Sequence, residues 1–308
     1  MEKVAVLMST YNGEKYIEEQ IKTILCQKEV LIELFIRDDQ STDKTGAILE
    51  AYQRQHSNIH VSMGTNLGVG NSFMQLLYSL PDDFDYYALA DQDDIWEGNK
   101  LYEAIKILNY NSCSLYASNQ ECVDKYGKHL RIRYSNIKRI HTTPVSILEK
   151  NMLSGCTMVF KKDLFRNLKK QEHRPSSDLL KNRIHDVWIA MVASIYSGIY
   201  YDKRSFIKYR QHETNVVGAC ETNFFYDLES KCNKLFGSGY KNGRSILAKE
   251  ICDLFYDNEI VKNRLFFSCA HPHTIKNKMF LLRNIFILKQ YSGETALGLA
   301  LKIIFDLF

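Results

Sequence analysis

Tyr86-Tyr87-Ala88-Leu89-Ala90-Asp91-Gln92-Asp93-Asp94-Ile95-Trp96 is an apolar, aromatic run that stops abruptly at three carboxylates. A run of this kind reads as a buried strand. Carboxylates at a strand's carboxyl end sit where open α/β sheets hold their ligands. A lone Asp-x-Asp is as readily a solvated turn, so the flanking sequence has to decide.

Upstream, Val4-Ala5-Val6-Leu7-Met8 is another such run, broken by Ser9-Thr10-Tyr11-Asn12-Gly13. Ile17, Ile21, Ile24 and Leu25 then fall at helical spacing within 14–25. Leu34-Phe35-Ile36 reads as a strand ending in Arg37-Asp38-Asp39-Gln40-Ser41-Thr42-Asp43, where Ser41 or Thr42 can cap a helix through Ile48, Leu49 and Tyr52. A strand over 59–63 leads through Gly64-Thr65-Asn66-Leu67-Gly68-Val69-Gly70-Asn71 into another helix. Strand, polar loop and helix repeat, which predicts βαβ units and a mixed, mostly parallel sheet flanked by helices. Farther on, 114–118 and 157–160 read as strands, and His185-Asp186-Val187-Trp188 opens an apolar helix running to Tyr196.

The chain has 308 residues, enough for one large domain or a domain with an appendage. A formal charge of +4 is too mild to argue for nucleic acid. The eight cysteines are scattered without a Cys-x-x-Cys pair, which suits neither a zinc site nor a disulfide framework. A strand begins almost at once and no apolar stretch reaches spanning length, so neither a signal peptide nor a membrane span is expected. From Lys231 to Lys289, by contrast, eleven Lys or Arg face four acids, a balance of +7 interleaved with Phe, Leu and Ile. The change of character predicts a catalytic domain over 1–225 and a helical C-terminal region over 226–308. That region is either a membrane-docking surface, favoured by its charge, or a face buried on protein, including an oligomer interface.

Three strand-end loops converge on one sheet edge. Ser9-Thr10-Tyr11-Asn12 brings an aromatic face and hydrogen-bonding groups, Asp38-Asp39 an acceptor for a base N–H, and Asp91-Gln92-Asp93-Asp94 hard oxygen ligands for Mg²⁺ or Mn²⁺. Together they describe a pocket for a nucleotide diphosphate. No Gly-x-x-x-x-Gly-Lys-[Ser/Thr] is present, and no Gly-x-Gly-x-x-Gly follows the first strand.

At these residues the sequence resembles the family 2 inverting glycosyltransferases, over roughly 3–220. The resemblance implies the GT-A fold, a Rossmann-like α/β architecture. Asp-Gln-Asp-Asp-Ile-Trp at 91–96 and Tyr209-Arg210-Gln211-His212 with Asn215 look most like bacterial rhamnosyltransferases of capsule and cell-wall polysaccharide synthesis. Gln40 stands where the family commonly shows Gly.

The resemblance implies the following roles. Thr10, Tyr11, Asn12, Asp39, Asn71 and Asp91 would hold the nucleotide, with Tyr11 stacking on the base and Asp39 accepting its N–H. Asp39 could instead cap the next helix, and Asp38 would serve the loop. Asp93 would ligate the metal directly, aided by Asp91 and by His212. Asp186 would be the catalytic base, although a carboxylate there is also a good dipole partner for its helix. Gly155 would let backbone approach a sugar, and Trp188 would be a platform for the acceptor or part of the core.

The implied activity is metal-dependent transfer of L-rhamnose from dTDP-rhamnose to a hydroxyl of a lipid-linked glycan. The implied location is cytoplasmic, at the inner face of the membrane. The same machine could use a UDP-hexose. A sugar nucleotidyltransferase would want a basic, glycine-rich first loop that 9–13 does not supply, and a non-catalytic binding module would not need base, metal and nucleotide residues together.

Overall fold

The computed structural model describes residues 1–135, 140–181, 185–212 and 243–308. They fall into two compact units. The first comprises Met1–Ile140 and Leu153–Asn215, the second His141–Met152 and Val216–Phe308.

The first unit is built on β1 (Glu2–Thr10), β2 (Val30–Asp38), β3 (Ile59–Met63) and β4 (Tyr86–Ala90), joined by helices α1 (Ile17–Leu25), α2 (Thr45–Gln55) and α3 (Val69–Ser79). These four strands are parallel, in the order β3-β2-β1-β4. Val4 to Met8 in β1 have no exposed surface at all, as expected for a strand covered on both faces. Ile17, Ile21 and Ile24 of α1 are equally covered, which confirms the helical spacing.

Beyond β4 the sheet becomes mixed. It takes in β5 (Ile95–Trp96), α4 (Lys100–Tyr110), β6 (Leu115–Val123), β7 (His129–Ile132), β8 (Val159–Lys161), α6 (Lys162–Lys169), α7 (Ser177–Leu180), α8 (His185–Tyr196) and β9 (Ile199–Arg210). The order continues β4-β8-β6-β9-β5, with β7 paired to β6. The mixed sheet flanked by helices is as expected. β5 was not foreseen. It pairs antiparallel with the end of β9, Ile95 opposite Lys208 and Trp96 opposite Ile207.

Two local expectations are corrected. Neither Ser41 nor Thr42 caps α2. The Ser41 hydroxyl and N–H both donate to Asp38, while Asp43 accepts from the Thr45 N–H at 2.9 Å and so serves the helix start. The strand expected from residue 157 starts at Val159, because Gly155–Thr157 form a 3₁₀ turn.

The second unit contains α5 (Pro144–Glu149), α9 (Gly243–Leu254), α10 (Arg264–Ala270), α11 (Ile275–Arg283), α12 (Ile285–Ser292) and α13 (Ala296–Ile304). α5 packs on α12, α9 and α10, and Glu149 pairs with Arg244 at 3.4 Å. Leu281, Leu288, Leu299 and Ile303 are its fully covered apolar residues on the last three helices. The boundary expected near residue 225 lies outside the described residues, as does the basic stretch 231–242.

Candidate active site

The carboxyl ends of β1, β2 and β4 meet at one edge of the first unit, and the loops there are tied to one another. Asn12 has φ +50°, a left-handed conformation that Asn tolerates, and its side-chain oxygen accepts the Thr42 N–H at 2.8 Å. Gln92 clasps the Tyr11 backbone, accepting from its N–H at 2.8 Å and donating to its carbonyl at 3.1 Å. A Cβ on Gly13 would fall 2.5 Å from the Gln92 side-chain oxygen, so a side chain there would push Gln92 off the Tyr11 backbone. The Tyr11 ring is left 48% exposed, available as a stacking face.

Asp38 spends its carboxylate on the loop, accepting from Thr10 Oγ1 at 2.9 Å and Ser41 Oγ at 2.6 Å. Asp39 is buried. It pairs with the Arg37 guanidinium and accepts the N–H groups of Leu67 and Gly68 at 2.9 Å each. It therefore anchors the turn ahead of α3 rather than capping α2. Asn71, in the first turn of α3, reaches the Ser177 carbonyl at 3.2 Å.

The carboxylate loop after β4 divides into an outer and an inner layer. Asp93 faces outward and contacts His212 Nε2 at 2.9 Å. His212 arrives there because β5 pairs with β9, and its ring stacks on Tyr16 with centroids 5.1 Å apart. Inside, Asp91, Asp94 and the Cys156 thiol have potential ligand atoms within 4.8 Å of one another. Asp94 has no exposed surface, and the Cys156 thiol is a neighbouring group that lowers its otherwise raised carboxyl by hydrogen bonding. The Lys100 ammonium lies 3.4 Å from the centre of the Trp96 ring, without a hydrogen-bond partner among the described residues.

The electrostatics follow from this crowding. Burial raises the Asp91 carboxyl to about 7, and the charges of Asp93 and Asp186 add to the rise. Asp94 is pushed well above the carboxylate range by burial and then by Asp93 and Asp91. Lys100 is lowered to about 7 by burial, and Cys156 is driven up for the same reason and stays a thiol. A protonated thiol is a poor ligand, whereas the carboxylate oxygens of Asp91 and Asp93, whose charges repel, suit a hard divalent cation.

Asp186 stands in the first turn of α8 with its Oδ1 accepting the Val187 N–H at 2.7 Å. Burial raises it to about 6, opposed by N–H donors of Val187 and Gly155. Its charge is felt at Asp91, so base and metal candidates share one site.

Three of the implied site residues are buried. Trp188 is fully covered and offers no face to a sugar. Thr10 is also covered, with its hydroxyl committed to Asp38. Gly155 is buried, and a Cβ there would meet His185 Nε2 at 3.0 Å and the Asp186 Cβ at 3.4 Å. The glycine makes room for the head of α8.

Sequence reasoning missed Arg210 and Arg133. Arg210 is buried and donates to the Asp93 carbonyl at 2.9 Å, the Lys125 carbonyl at 2.9 Å and Glu19 at 2.6 Å. Its own N–H holds Asp94 Oδ1 at 3.1 Å. Arg133 reaches Gln120 and Ser154, beside the 3₁₀ turn that carries Gly155. Arg210 stood next to His212 in a motif already noted, and that adjacency was the available signal.

Residues 5–169 match the model of glycosyl transferase family 2. The chain is 34% identical over 220 residues to the dTDP-rhamnosyl transferase RfbG of Shigella flexneri, covering 69% of this chain and 74% of that protein. It is 30% identical over 161 residues to the putative teichuronic acid biosynthesis glycosyltransferase TuaG of Bacillus subtilis, covering 51% and 60%. Among solved structures, S. aureus TarS 1–349 in complex with UDP-GlcNAc aligns with a TM-score of 0.53 at 18% identity, over 98% of this chain and 81% of that one, a likeness of fold. Strand-end carboxylates, the loops clasped around them and the family match over half the chain lead to one conclusion: this protein is a glycosyltransferase and belongs to glycosyl transferase family 2.

Proposed function

We propose that the protein transfers L-rhamnose from dTDP-rhamnose, with inversion, to a hydroxyl of a lipid-linked cell-surface polysaccharide at the cytoplasmic face of the membrane. The observation that carries this reading is the row of carboxylates at the end of β4, clasped through Gln92 to the loop that carries the exposed Tyr11. The 34% identity to a protein named as a dTDP-rhamnosyl transferase supports the donor.

Tyr11 stacks on the base, and Asp39, whose Oδ2 also holds the Gly68 N–H, accepts the base N–H. Asn12 and Asn71 border the same pocket. Asp91 and Asp93 are the proposed metal ligands, with His212 beside Asp93; Asp94 is closed to solvent and works as an underlayer. Mn²⁺ or Mg²⁺, when bound, supplies charge neutralisation to the leaving diphosphate. Asp186 takes the proton from the acceptor hydroxyl on the face opposite the departing group. With its carboxyl near 6 it is ionised at neutral pH yet basic enough to serve.

The test is slow hydrolysis of a panel of nucleotide sugars by the purified protein, with and without chelator. dTDP-rhamnose should be cleaved fastest, the rate should vanish in EDTA, and Mn²⁺ or Mg²⁺ should restore it. Preferential cleavage of a UDP-hexose would overturn the donor, and full turnover in excess EDTA would overturn the metal.

A further inference from the structure

The last three helices of the second unit carry apolar side chains on the outside as well as the inside. On α13, Leu299 and Ile303 are covered, while Leu297, Leu301, Ile304 and Phe305 are exposed at i, i+4, i+7 and i+8. That spacing is a complete second stripe on one helix. Phe286 on α12 is 74% exposed, and Ile275 and Met279 on α11 are 79% and 50% exposed. Large apolar residues left out in this density mark a contact surface.

The charges around them are of one sign. From Ile275 to Phe308 there are five Lys or Arg and two acids, Glu294 and Asp306. Both acids are neutralised: Glu294 by Lys302 at 2.6 Å and by Arg244, Asp306 by Lys278 and His273 at 2.8 Å each. Lys276, Arg283 and Lys289 are exposed and have no ion-pair partner among the described residues. Lys276 and Arg283 flank Met279 at i−3 and i+4, and Lys289 follows Phe286 by three residues.

From this combination we propose that α11, α12 and α13 dock the protein on an anionic lipid bilayer, their exposed apolar residues in the headgroup layer and Lys276, Arg283 and Lys289 against lipid anions. No helix among the described residues is long and apolar enough to cross a membrane, so the contact lies on the surface. A second copy of the chain fits less well, because a two-fold contact would set these cations against themselves. The inference deepens the proposed function by supplying the partner surface from which a lipid-linked acceptor is reached. It does not depend on the donor.

The experiment is co-sedimentation of the full-length protein with phosphatidylglycerol-containing and pure phosphatidylcholine vesicles, at low and high salt. Binding is expected on the anionic vesicles only, weakened by salt. K276Q/R283Q/K289Q should weaken it roughly a hundredfold, at about fivefold per cation. L297S/L301S/F305S should weaken it as well, with an unchanged circular dichroism spectrum; should that variant misfold, the charge variant decides alone. Nucleotide-sugar hydrolysis in solution should be unaltered in the charge variant, which separates this inference from the activity reading. Wild-type protein that stays in the supernatant with every vesicle would overturn the proposal. So would a charge variant that binds like wild type, or a dimer that L297S/L301S/F305S converts to monomer while vesicle binding persists.

Discussion

Asp186 is held by neighbouring N–H groups in a site whose burial otherwise disfavours its charge. Asp186→Asn keeps the shape and removes the basicity, so kcat should fall by at least about 10²-fold with the donor KM little changed. The sign of the pH dependence follows from the same geometry. In the proposed mechanism the active form is the carboxylate, and its carboxyl is raised to about 6, so wild-type kcat/KM should climb with pH through that value and the Asn variant's residual rate should not. Arg210 acts through Asp93 and Asp94 and is a positioning residue. Arg210→Met leaves the Asp93 and Lys125 carbonyls without their donor and should destabilise by about 3 kcal/mol, read by urea unfolding. The carboxylates were legible because they are contiguous in sequence. Arg210's role was not, because its partners come from α1, the β4 loop and the loop after β6, and no local pattern encodes that meeting.

Gln40 tests how a loop is held. Its φ is +70°, a region glycine enters freely, and its side chain accepts the Asn66 N–H at 3.1 Å. Gln40→Gly relieves about 1 kcal/mol of backbone strain. It also adds a similar entropy to the unfolded chain and loses one hydrogen bond, each about 1 kcal/mol. The losses win, and the variant should be less stable by about 1 kcal/mol in equilibrium unfolding; a gain would show that strain dominates. Among the elements, β1 and β4 were readable as unbroken apolar runs. β5 was not, since two residues carry no period and only their pairing with β9 makes them a strand. That hidden pairing delivers His212 to Asp93.

At the scale of the molecule, the second unit has its own pH response. Burial raises Glu149 to about 7 despite the nearby Arg244. A carboxyl raised on folding favours the folded state below its ordinary pKa and loses that contribution as pH climbs to 7, here about 3 kcal/mol. Wild type should therefore lose thermal stability between pH 5 and 8, whereas Glu149→Gln should lose less and surpass it at pH 8, by calorimetry. The change of composition late in the chain was legible. That residues 141–152 pack with the C-terminal helices was not, because α5 is six residues long and its partners are distant in sequence.

That partnership sets an order of events during synthesis. α5 leaves the ribosome long before α9, α10 and α12 exist, and the last strand and helices of the first unit are made in between. At about 5–20 residues per second, Ile147 and Leu148 wait roughly 5–20 s for the first helix that covers them. The nascent chain thus carries an uncovered apolar segment through about a third of its translation, a natural target for a ribosome-associated chaperone. For the same reason, a chain ended after the first unit would keep α5 as a permanent orphan.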